Sequence, residues 1–264
     1  MLVPTQHLAL EGDAGHQSFI AGLVINHGPA ELLGRMILAA DTAARARGVF
    51  LSFAGLDELV SINRANSQSW RPLLPVFDPN CGLFAPTSAL CLLGRNDAGE
   101  VVVTQAARYF DWRGTTFHDE ATSLRLLYRD PNAWRQEGEA VEVTAPTARI
   151  ITGKVAFTGG HWCRQDFRGK GLPAITPRIA RALAIGLWDV EFACTIMAED
   201  IFSRGVAQRA GYCNAEWSVE LKNTPVGTLK AALLWRGREA IVADLEDFLA
   251  NFVDADASVV ERYA

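Results

Sequence analysis

The chain has 264 residues, 49% hydrophobic and 21% charged, with a formal net charge of −5 at pH 7. So apolar a composition with so little net charge excludes a disordered chain, and the acidic balance lacks the basic footprint that non-specific nucleic-acid binding requires. Mean hydropathy is +0.08, and no apolar run reaches the roughly 18 residues of a membrane-spanning helix.

Residues 1–27 read as a strand or irregular arm. Met1 to Gly34 contains no Lys or Arg, so it lacks the basic region of a secretory signal and the chain reads as cytoplasmic. Ala30 to Arg47 carries an i, i+3, i+4 apolar stripe through Leu33, Met36, Ile37, Ala40 and Ala44 and predicts a helix closed by Gly48. Val49 to Phe53 reads as a strand and Leu56 to Asn66 as a second helix. Trp70 to Thr87 holds Pro72, Pro75, Pro79 and Pro86 and reads as a surface loop. Ser88 to Gly94 and Val101 to Phe110 flank the turn chemistry of Asn96 to Gly99, a hairpin signature. Thr115 to Gly138 is a polar, helix-prone insertion, and Val141 to Val143 is a short β-type run.

Ile150 to Cys163 is rich in β-formers but interrupted by Gly159 and Gly160, a pair that predicts a bulge or close backbone approach. A helix rich in Ala, Ile and Leu then runs to about Leu187. Asp189 to Met197 reads as a buried strand and Ala198 to Ala210 as helical, closed by Gly211. Glu216 to Lys222 and Thr228 to Trp235 are the last strands. A terminal amphipathic helix spans about Arg238 to Phe252. The five cysteines, Cys81, Cys91, Cys163, Cys194 and Cys213, show no CxxC spacing and read as reduced thiols rather than a metal site.

The strongest chemical signal is the turn Arg168-Gly169-Lys170-Gly171 between a strand and a helix. Two glycines admit close approach of a ligand to the backbone, and the helix that follows offers free N–H groups. Arg168 and Lys170 add charge, a combination suited to a pyrophosphate. The pattern is neither a Walker A loop nor GxGxxG.

Gln165 to Leu172 resembles the pyrophosphate loop [QR]xxGx[GA] of the GNAT N-acetyltransferases, with Arg168 at its first position and Gly171 at its first glycine. Downstream, Ser203, Val206, Gly211 and Tyr212 match that family's second motif in order and spacing. The resemblance covers about residues 154–212. It implies a mixed, mostly antiparallel α/β sheet of about seven strands, flanked by helices, whose fourth and fifth strands splay apart. It also implies one enlarged domain over 1–264: an arm and helix to residue 48, a core over 49–235 with the insertion near 115–138, and a C-terminal helix and tail over 236–264.

The implied activity is transfer of acetyl from acetyl-CoA to a primary amine of a small molecule by direct attack, with no metal, no nucleic acid and no membrane, and a homodimer left open. The pantetheine would lie beside the backbone of His161, Trp162 and Cys163. Arg168, Gly169, Lys170, Gly171 and Ser203 would hold the donor. The chain departs from the family pattern in four places. Pro173 replaces the last loop glycine and removes an amide donor. Pro177 either kinks the helix or moves its start to Thr176. Ala207 replaces the tyrosine that serves as acid, and Asp200 replaces an asparagine. For the missing base, His161, if it shares a face with Phe157, and Glu120 of the His118-Asp119-Glu120 cluster are the candidates. Trp112, Trp134, Trp162 and Trp217 are candidate pocket walls, and Arg64, Arg71, Arg108 and Arg113 candidate acceptor ligands. A GNAT-fold protein that binds without catalysing, or a structural partner, is the alternative.

Overall fold

In a computed structural model, residues 19–21, 23–81 and 85–260 are described; most of the expected N-terminal arm lies outside them. Helix α1 (Ala30–Arg45) leads to strand β1 (Phe50–Phe53) and helix α2 (Leu56–Ala65). A loop of short 3-10 turns precedes the hairpin β2 (Ala89–Arg95) and β3 (Val101–Trp112). The insertion forms α3 (Phe117–Thr122) and α4 (Pro131–Trp134), and the short β-type run after it is β4 (Ala140–Val143). There follow β5 (Gly153–Cys163), α5 (Leu172–Trp188), β6 (Phe192–Ala198), α6 (Glu199–Phe202), α7 (Val206–Arg209), β7 (Asn214–Thr224), β8 (Gly227–Gly237) and α8 (Arg238–Val260).

One eight-stranded sheet has the order β1-β2-β3-β5-β6-β8-β7-β4, one strand more than expected. The extra edge is β4, the short β-type run after the insertion, which pairs with β7. Every pairing is antiparallel except β5 with β6. That parallel pair is short. It spans Val155↔Phe192, Ala156↔Ala193 and Phe157↔Cys194, although β5 continues to Cys163 and β6 to Ala198. Beyond Phe157 the strands splay, as the resemblance requires.

Each face of the sheet carries its own core. On one, α1, α5 and α8 pack over Leu92, Val103, Ala107, Ala156 and Ala193. On the other, α2, the 70–81 loop and the insertion cover Leu93, Ala106, Phe157, Cys194 and Leu233. The alternation of strand residues between these cores is the pleat. Helix α5 is almost wholly buried, which explains its run of Ala, Ile and Leu. It starts at Leu172 with Gly171 as N-cap and holds Pro177 in its interior. Pro177 lacks the N–H that would bond the carbonyl of Pro173. Of the two expected alternatives, a start at Thr176 is therefore ruled out.

Candidate active site

The glycine pair of β5 forms the expected bulge. Thr104 pairs with Trp162 and Ala106 with Gly159, so Gly160 and His161 face a single residue, Gln105. A one-residue offset exchanges the faces of every later side chain. Trp162 thus shares the face of Phe157, where it stacks on Trp70 at 5.5 Å, as Phe157 stacks on Phe77. His161 turns to the α5 face, its Nδ1 3.4 Å from Thr176 Oγ1. The expected common face of His161 and Phe157 does not hold. Glycine is needed at 159 because a Cβ there would meet the Phe77 ring at 2.6 Å.

Burial pushes the His161 pKa down to about 4, with only a backbone hydrogen bond to Thr104 opposing it, although the ring stays partly accessible. The imidazole is neutral at pH 7. Burial lifts the Cys163 thiol to about 11 and raises that of Cys194 still further, so neither is a thiolate nucleophile.

At the mouth of the splay, Gly169 (φ +82) and Gly171 (φ +73) adopt the left-handed conformation that favours glycine. Among the described residues, none accepts a hydrogen bond from the amides of Gly169, Lys170 or Gly171. Arg168 folds back, its Nε donating to Cys163 O at 3.2 Å. Lys170 Nζ lies 3.9 Å from the Phe167 ring centre. Arg47, just beyond α1, donates from Nε to Lys170 O at 2.7 Å. That third cation, 123 residues away in sequence, escaped the motif reading because only the packing of α1 on α5 brings it there.

On the opposite face, the segment after α2 straps the two arms of the splay together. Trp162 Nε1 donates to Ser69 Oγ at 3.3 Å, and Arg71 Nη1 meets Asp200 Oδ1 at 3.0 Å. Asp200, beyond β6, thereby gains a counter-ion for the charge it adds. Ser203 is exposed in the next turn, its Oγ donating to Asp200 O at 3.3 Å.

Glu120 lies elsewhere. Its carboxylate accepts from Arg125 at 2.7 and 3.2 Å, in a helix whose Phe117 and Ala121 pack into the core away from His161. The four tryptophans do not wall one pocket. Trp112 is core, Trp134 and Trp217 are half-exposed, and only Trp162 borders the splay. Of the four arginines, Arg108 is buried on Val76 O and Ser88 O, Arg113 pairs with Asp111, and Arg64 lies 4.0 Å from Asp78. Among the described residues, no His, Cys, Asp and Glu cluster fits a metal ion, and no helix is long and apolar enough to cross a membrane.

Strand order, the splayed parallel pair and the glycine loop at its mouth define a GNAT-like fold. No protein-family model matches the chain, nor does any curated protein. Similar solved structures include the aminoglycoside acetyltransferase AAC(6')-Ib with coenzyme A and kanamycin: 17% identity, 73% of this chain, 96% of that chain, TM-score 0.41. The spermidine/spermine N-acetyltransferase SpeG of Vibrio cholerae shares 8% identity over 74% of this chain and 97% of that one, TM-score 0.44. A GNAT-family acetyltransferase from Streptococcus pneumoniae shares 9% over 72% and 99%, TM-score 0.40. At these identities and TM-scores the likenesses decide nothing about activity.

Proposed function

We propose that the protein is an acyl-CoA-dependent N-acyltransferase that moves acetyl from acetyl-CoA to a primary amine of a small molecule. The observation that carries this reading is a cleft between splayed parallel strands with a cationic, doubly left-handed glycine loop at its mouth. The unbonded amides of Gly169, Lys170 and Gly171 are pyrophosphate donors, with Arg168, Lys170 and Arg47 supplying charge. Beside them β5 offers the backbone of His161, Trp162 and Cys163 to the pantetheine. The run from Cys163 back to Thr158 spans roughly 16 Å at the usual strand rise. Ser203, beyond β6, is a further candidate donor to the cofactor. The amine approaches from the face of Trp70, Trp162 and the Arg71–Asp200 strap.

Proximity supplies much of such a reaction, since the thioester is already activated. We set aside both candidate bases: Arg125 occupies Glu120, and the neutral His161 ring faces Thr176 of α5, across the strand from the side on which the amine approaches. A second reading, binding without catalysis, is favoured by Ala207. It is buried in a small core with Ala210 and Tyr212 and has no proton to give. Thermal shift with millimolar acetyl-CoA, followed by free-thiol release with a panel of primary amines, separates the two. A shift with release supports the transferase. A shift without release favours the binder, and no shift from a folded protein rejects both.

A further inference from the structure

The most deeply buried charged side chain among the described residues, Arg181, belongs to a cluster at α5 that has no part in the reading above. Asp244 of α8 accepts from Arg178 Nε and Nη2 at 3.1 and 2.9 Å and from Arg181 Nη2 at 2.9 Å, with Arg236 Nη2 at 3.7 Å. Three guanidinium groups around one carboxylate leave surplus positive charge in a medium of low dielectric, an arrangement that costs stability. Arg181 is fully buried, and its Nε and Nη1 have no hydrogen-bond partner among the described residues. Unpartnered buried donors in a native fold require a reason, and a charge that appears only during turnover is one.

The cluster places a hydroxyl group. Arg178 Nη1 donates to Arg209 O and Arg181 Nη2 to Ala210 O, both at 2.7 Å, so two arginines of α5 hold the end of α7. Gly211 (φ +82) then passes where a Cβ would sit 2.6 Å from Asp244 Oδ2. The Tyr212 ring comes to rest 4.9 Å from Arg181 Cζ. Its hydroxyl lies 2.9 Å from Thr158 Oγ1, while Thr158 Oγ1 is 3.5 Å from Cys194 O. Thr158 is the first residue of β5 beyond the last pairing with β6, which is the root of the cleft. Burial raises the phenol pKa, and Arg181 partly offsets it, so the hydroxyl keeps its proton at neutral pH.

We infer that Tyr212 is the proton donor to the departing thiolate, replacing the hydroxyl that Ala207 lacks, with Arg181 and Asp244 as positioning residues behind it. The assignment rests on the acyl-CoA reading. The amine nitrogen bonds to the acyl carbon, the C–S bond breaks, and its electron pair stays on sulfur. Sulfur takes the Tyr212 proton, and the phenolate left behind is stabilised by the charge of Arg181, whose Cζ lies 4.9 Å from the ring centre. The proton shed in forming the amide restores the phenol.

Binding of free CoA tests this without knowledge of the acceptor. A phenol aimed at sulfur stabilises the thiolate and lowers the bound thiol pKa from its ordinary value near 8.5. The groups facing the phenol are Arg178 and Arg181 of α5, Asp244 of α8, Arg236 of β8 behind it, Thr158 of β5 and Cys194 of β6. The thiol of Cys194 is raised by burial and stays neutral. Calorimetric titration of the full chain with CoA and with desulfo-CoA, at pH 7 and pH 9.5, gives an affinity ratio. The ratio is expected to favour CoA about sevenfold more at pH 9.5 than at pH 7, the rise that a lowering by one pKa unit gives over that window. In Tyr212→Phe the rise should vanish while desulfo-CoA still binds. A flat ratio in the wild type, or the same rise in Tyr212→Phe, overturns the assignment. If neither ligand binds the wild type, the acyl-CoA reading itself fails. Should Tyr212→Phe lose desulfo-CoA binding, Thr158→Val replaces it, with the rise expected below threefold and an unchanged rise contradicting the proposal.

Discussion

Gly171 sits at φ +73 beside the Arg47 guanidinium, a conformation that costs a side chain roughly 1–2 kcal/mol. Gly171→Val is expected to weaken acetyl-CoA binding at least tenfold while the far-ultraviolet circular dichroism of the sheet is retained; unchanged affinity would reject the loop assignment. His161 makes a pH prediction. Its folded pKa of about 4 lies below the ordinary 6.5, so the folded state binds the proton less tightly than the unfolded one. The contribution to stability is complete above about pH 6.5 and is lost as pH falls towards 4. Urea midpoints over that window should drop further in the wild type than in His161→Gln, and parallel curves would contradict the burial argument. The loop was legible at this scale because its glycines and charges are contiguous. The face of His161 was not, because a bulge resets the parity of every residue after it.

The hub of α5 and α8 governs stability at the scale of the element. Removing the carboxylate in Asp244→Ala leaves Arg178, Arg181 and Arg236 buried without a counter-ion, and breaking a buried pair in this way costs about 3–5 kcal/mol. Chemical denaturation should show that loss, and a change within about 0.5 kcal/mol would deny the hub its role. Pro177 acts in the opposite sense. It withholds a bond from Pro173 O and crowds that carbonyl, a defect that reaches about 3 kcal/mol in a helix interior. Pro177→Ala should therefore stabilise the chain, by at least about 1 kcal/mol in the same assay. Helix and strand positions were readable from apolar period. The hub carried one overlooked sign: Arg178 and Arg181, three residues apart, interrupt an otherwise apolar helix. Charge on a buried stripe marks a partner elsewhere, but nothing local identifies that partner as Asp244, 63 residues beyond Arg181.

Across the whole molecule, α1, α8 and the insertion are what enlarge the sheet's surroundings. Helices α1 and α8 press on α5, one bringing Arg47 to the loop and the other Asp244 to the hub. The insertion closes the second core, and β4, just after it, adds the far edge. The splay was legible only through the two spaced motifs, since strand divergence has no local sequence signature. The Arg71–Asp200 strap was not legible at all, because its residues are 129 positions apart. A crystal structure of the full chain grown with acetyl-CoA tests the central claim most directly. The donor should lie between β5 and β6, its pyrophosphate against residues 168–171 and its thioester beside Thr158 and Tyr212. A cleft without ligand at saturating acetyl-CoA, or a donor bound elsewhere with that loop unengaged, would contradict the account.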